Sequence, residues 1–272
     1  TNALVDIFGK HSTTTISQKK YLKWPINSPM WKTVSQYDSR SQDLLKLSRD
    51  LDLLLSNNSI NNKRNNYPKQ RIDFRNDAFI IINGCHLFQS KSFSENLSIK
   101  IYLEPSQVIN NYWYKDNYST KNIIKDNLES SIKYYDRSSI NQKNNSDILF
   151  KLSHVNEDFS AFDEVKNRPL KLDVYLSDGI YAEKLIKALI SICGVKANLD
   201  IDEKNFEAHI SVEGDVWPED IQLASSKLVP NLEELIDINP KWSSDSIGIM
   251  QLIVLMQVSH YFKSRDLSRN GF

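Results

Sequence analysis

Three alternating stretches constrain this chain more than any other feature. In "LKLDVYL" the apolar residues Leu170, Leu172, Val174 and Leu176 fall at every second position. Val195, Ala197, Leu199 and Ile201 repeat the pattern, as do Phe206, Ala208, Ile210 and Val212. A period of two gives each strand one buried and one wetter face. Between the first two stretches, Ile180 to Ile192 is apolar over most of its circumference, with Glu183, Lys184 and Lys187 on one side, which predicts a helix covering the buried face. Only "DEK" separates Ile201 from Asn205, so the last two strands are expected as an antiparallel hairpin. The first two are joined through a helix and can lie parallel. The resulting β-α-β-β unit is half of a two-layer sandwich, and the fold class it implies is α+β.

The remaining chain is divided by its punctuation. Residues 1–36 show no sustained period but carry Trp24, Pro25, Pro29 and Trp31, an arm expected to pack through its aromatic residues. In "SRSQDLLKLSRDLDLLLSNN", Leu44, Leu47, Leu51, Leu54 and Leu55 recur at helical spacing. The Asn-rich "NNSINNKRNN" reads as a polar loop, and "RIDFRNDAFIIINGCHLF" as a strand or hairpin. "LSIKIYLE" is a strand with Ile99, Ile101 and Leu103 on one face. "TKNIIKDNLESSIKYY" is a helix with Ile124, Leu128, Ile132 and Tyr135 in register. With "RSSINQKNNS" as a linker, the expected division is an arm at 1–36, a mixed α/β domain at 37–140, a linker at 141–168 and an α+β domain at 169–272. Ile247 to Phe262 is apolar but short of the roughly 20 residues a bilayer span needs, and Gln251, Gln257 and His260 interrupt it. It reads as a core helix, with "WSSDS" supplying its N-cap and Lys263 and Arg265 the cations at its end.

Composition removes several classes of function. The 272 residues hold 34 basic and 34 acidic side chains, so general binding to nucleic acid or to a membrane surface is not expected. The only cysteines, Cys85 and Cys193, make neither a disulfide framework nor a zinc pair. A reducing, cytoplasmic location follows as the default, and "TNALVDIFGKHSTTT" shows no secretory pattern.

Catalytic patterns are sparse. A dinucleotide site needs three glycines after its first strand; "LSDGIYAEK" has Gly179 alone, with Asp178 where phosphate would sit. Gly179 is then a turn residue, and Asp178 or Ser177 the N-cap of the next helix. Cys85 and His86 are adjacent, and on a strand they would face opposite sides. His209 falls on the polar face of its strand. The densest group of ligand-capable residues is His154, Glu157, Asp158, Asp163 and Glu164, which could hold a divalent metal or be a solvated loop.

Strand, turn, helix, "CGV", strand and "DID" in this order resemble the opening of the ThiF/MoeB, E1-like fold. The apolar helix after "SSDSIG" is similar to that family's C-terminal helix. The preceding "FIIINGCHLF", "LSIKIYLE" and helix are compatible with the small peptide-recognition domain found ahead of such proteins in bacterial peptide-modification pathways. The glycines and the zinc cysteines are missing here. The resemblance therefore implies a truncated, catalytically dead relative, with no catalytic residue carried over and no cofactor.

Two readings of function follow. The first is a non-catalytic adaptor or regulator, with the aromatic arm as a candidate surface for forming a homodimer, that binds a peptide or protein through Ile99, Ile101, Leu103, Leu128, Ile132 and Tyr135. The second is a metal-dependent enzyme using the 154–164 cluster.

Overall fold

A computed structural model describes residues 1–25, 27–34, 38–56, 58–64, 67–72, 79–111, 142–155, 169–202 and 204–269, with 61–64, 67–72 and 266–269 given by their backbone alone. The chain forms two compact units, one of Thr1–Leu97 with Ile124–Asn145, the other of Ser98–Ile123 with Ser146–Phe272. The segment read as a linker at 141–168 contains a strand, Ile148–His154, that belongs to the second unit together with Ile101–Pro105. The polar residues on either side hid it.

The first unit runs through helix α1 (Asn2–Phe8), strand β1 (Thr13–Ser17), helix α2 (Leu44–Leu55), strands β2 (Ile60–Arg64), β3 (Tyr67–Ile72) and β4 (Phe79–Asn83), and helix α3 (Lys91–Glu95). Asp43 starts α2 by accepting the Lys46 N–H at 3.1 Å. Leu47, Leu51 and Leu54 then face a core shared with Ile16, Tyr21 and Phe93, whereas Leu55 is exposed. Residues 1–36 are not an arm held by tryptophans. Ile7 and Phe8 of α1 and Ile16 of β1 are buried, and β1 pairs in parallel with β4. Trp24 and Trp31 instead pack on each other edge to face at 5.3 Å. The Asn-rich tract is likewise not a loop: β2 pairs antiparallel with β3, anchored by the buried Ile60. Its asparagines, depleted in strands generally, obscured that pairing.

The second unit contains β5 (Ile101–Pro105), β6 (Ile148–His154), β7 (Leu170–Leu176), α4 (Ala182–Ser191), β8 (Lys196–Asp202), β9 (Glu207–Glu213), α5 (Pro218–Leu228), α6 (Leu232–Leu235) and α7 (Asp245–Arg269). Its sheet has the order β5-β6-β7-β9-β8, with β5 and β6 parallel and every other pair antiparallel. The expected β-α-β-β unit is present. Strands β7 and β8 run in the same direction, but β9 lies between them, so the motif is a split β-α-β. Leu172, Val174, Leu176, Ala208, Ile210 and Val212 are all buried, and α4 packs on β8 and β9 through a face holding Leu185 and Leu189. Helix α7, which packs on β7 and α5, is buried around most of its circumference from Ile249 to Met256. It continues past Lys263 and Arg265 to Arg269, so those cations lie inside the helix and not at its end. No described helix is long and apolar enough to cross a membrane.

The turn before α4 also differs in detail. Tyr181 is the N-cap of α4 and its side chain does not cap, while Asp178 accepts the Ile180 N–H at 3.0 Å and so closes the turn. Gly179 is required by proximity: a Cβ there would stand 2.9 Å from both the Ala208 Cβ and the Phe206 carbonyl oxygen. That carbonyl accepts the Gly179 N–H at 2.7 Å. Phe206 itself has φ 57 and is 66 % exposed. The left-handed region costs a non-glycine residue about 1–2 kcal/mol, more than the backbone entropy that glycine forfeits. Phe206→Gly is therefore expected to stabilise the chain by about 0.5–1 kcal/mol, read as a higher urea midpoint at unchanged slope.

Candidate functional site

The site is built from β5 outward. At its start the Lys100 N–H donates to the Asp147 carboxylate at 2.6 Å, and the Lys100 carbonyl accepts the N–H groups of Asp147 and Ile148 at 2.8 and 3.0 Å. At its end the Ser106 N–H reaches the Leu152 carbonyl at 2.7 Å. Even-numbered residues thus face β6, and the alternation of the ladder turns the backbone groups of Ile101 and Leu103 the other way. Among the described residues no strand pairs with that outer side.

The side chains sort differently from the sequence expectation. The register Ile101↔Ile148 and Leu103↔Phe150 puts Ile101 and Leu103 on the face of the sheet core, yet Leu103 is 57 % exposed because it sits at the edge. Tyr102, on the opposite face, is the buried member of the strand. Ile99 precedes the strand and is half-buried. Leu128, Ile132 and Tyr135 lie outside the described residues, as does Ile124.

The far edge of the same sheet has another character. Strand β8 exposes Lys196, Asn198, Asp200 and Asp202 at alternate positions. Charged side chains along an edge discourage a further strand. Ile101, Leu103 and Pro105 carry no charge, although Pro105 offers no N–H and so limits the ladder to its first residues.

His154 ends β6 in register with Leu170 and is buried, while Glu157, Asp158, Asp163 and Glu164 lie outside the described residues. Among the described residues no three of histidine, cysteine, aspartate and glutamate converge on a metal position. Cys85 and His86 are in a bend after β4, not on a strand, so the alternation expected for them does not apply. Burial raises the Cys85 thiol above its usual range and pushes Cys193 up to about 11, assisted there by the charge of Asp220. Neither environment favours the thiolate that nucleophilic chemistry needs.

One grouping was not anticipated. His209 is only partly a surface residue: it stacks on Tyr175 at 4.4 Å and lies 3.2 Å from the Asp173 carboxylate, with Lys151 over the Tyr175 ring. The cue was the cross-strand phase of β7 and β9, which places Tyr175 opposite His209. Compared with known proteins, the chain matches no protein-family model and no curated sequence.

Proposed function

We propose that this chain is a non-catalytic binding protein that takes up an extended peptide or protein segment on the outer side of β5. The observation that carries this reading is the edge itself, where outward backbone groups at Ile101 and Leu103 stand beside an exposed leucine. An added strand gains main-chain hydrogen bonds there, and Leu103 gives it an apolar contact. The wider role proposed with it is that of an adaptor in a bacterial peptide-modification pathway.

The test is selection of ten-residue peptides from a random display library, followed by amide exchange on the complexes. Bound peptides are expected to slow exchange at Ile101 and Leu103. Leu103→Lys, at an exposed position, should weaken them about tenfold by removing roughly one leucine's worth of apolar burial. Asp200→Lys on the far edge should leave affinity unchanged. Peptides that bind Leu103→Lys as tightly as the parent, or that protect neither amide, would rule the edge out.

A further inference from the structure

The neutral total conceals a strong local imbalance. Between Asp200 and Asp237 the chain has eleven carboxylates and two lysines; across the sheet, Lys171 and Lys196 stand in register with Glu213 and offset that one carboxylate. In the middle of this stretch, "EGDVWPED", Trp217 is 72 % exposed, while Trp24, Trp31 and Trp242 are partly buried. Its backbone is fixed on both sides. The Val216 N–H donates to the Asp245 carboxylate at 3.0 Å, the Asp245 N–H donates to the Val216 carbonyl at 2.9 Å, and Pro218 opens α5. The same pair of bonds brings the start of α7 to this corner, where Ile247 is 53 % exposed. Asp215 and Glu219, two residues before and after Trp217 in sequence, are exposed, and Glu213 and Asp220 half-exposed.

We propose that this corner docks a basic segment of a partner protein, with an arginine or lysine laid on the Trp217 ring between Asp215 and Glu219. Tryptophan offers the best aromatic face for a cation, and carboxylates beside it add attraction of the same sign. A backbone already fixed has no further freedom to lose on binding, and tryptophan has only two side-chain torsions to order, which suits a central anchor. The charge excludes phosphate-rich partners, because nucleic acid and anionic lipid would both be repelled. The surface is separate from the β5 edge, so either can fail without the other.

The probe is a twelve-residue peptide alternating arginine with glycine and serine, with a glutamate counterpart as control, titrated by calorimetry into the full chain. The arginine peptide is expected to bind, the glutamate peptide not, and binding should weaken as salt rises from about 50 to about 500 mM. Trp217→Ala should weaken it about tenfold, Trp217→Phe less, and Leu103→Lys not at all. Equal binding by parent and Trp217→Ala would reduce the effect to diffuse acidity and overturn the proposal, as would no binding. Sedimentation showing low-salt self-association that depends on Trp217 would overturn it too, assigning the corner to a second copy of the chain.

Discussion

Replacing Phe150 with alanine is expected to lower the stability of the second unit by about 3–5 kcal/mol, read from urea unfolding. Phe150 is buried on β6, with Val174 beside it on β7 and Leu103 beside it on β5. Truncation removes the apolar transfer energy of the ring and leaves a void among strands that cannot close without breaking register. The loss is a large fraction of the roughly 5–15 kcal/mol that holds a domain folded. It also reaches the proposed site, because Phe150 is the neighbour against which Leu103 is set. Peptide binding is expected to fall in Phe150→Ala together with stability, whereas Leu103→Lys should lose binding at nearly parental stability. A loss below about 1 kcal/mol would mean that β5 and β6 are not integral to the sheet core.

How much of this was legible depended on the range of the interactions involved. The strands β7, β8 and β9 were readable because each keeps its period for seven residues, and Ile180 to Ile192 because its charged residues, Glu183, Lys184 and Lys187, gather on one side. β6 alternates less cleanly, with Leu149 on its outer phase and His154 on its inner one, and lies between polar segments, and nothing local says that it pairs with β7. The parallel pairing of β1 with β4 joins residues 13 and 79, a separation at which no spacing rule operates. The candidate site was half legible. That Ile101 and Leu103 share a face follows from their spacing; that the face is bare at Leu103 follows from strand order, which composition does not encode. Trp217 was unreadable as exposed, since a tryptophan in an irregular stretch is as often core as surface.

Gly248→Ala is expected to destabilise the chain by about 2–3 kcal/mol, against the roughly 1 kcal/mol that alanine ordinarily gains over glycine inside a helix. The sign is decided by what faces the missing side chain. A Cβ on Gly248 would overlap the Ser243 carbonyl oxygen and stand 3.1 Å from the Ile221 Cγ1. The Ser243 backbone cannot retreat freely. Its N–H donates to the Gln251 side-chain oxygen at 2.8 Å, and the Gln251 amide donates in turn to the Lys241 carbonyl at 3.3 Å. Gln251 is buried, so breaking these bonds strands polar groups away from water, at about 1–3 kcal/mol for each one left unpaired. Helix α7 therefore needs a residue without a side chain at 248 and a two-headed amide at 251, one turn apart, to carry residues 241–244 across its surface. The two positions should couple: Gln251→Ala releases the segment that Gly248→Ala collides with, and the double variant is expected to lose less than the two single losses added. A Gly248→Ala chain more stable than its parent would show that residues 241–244 are not held against α7.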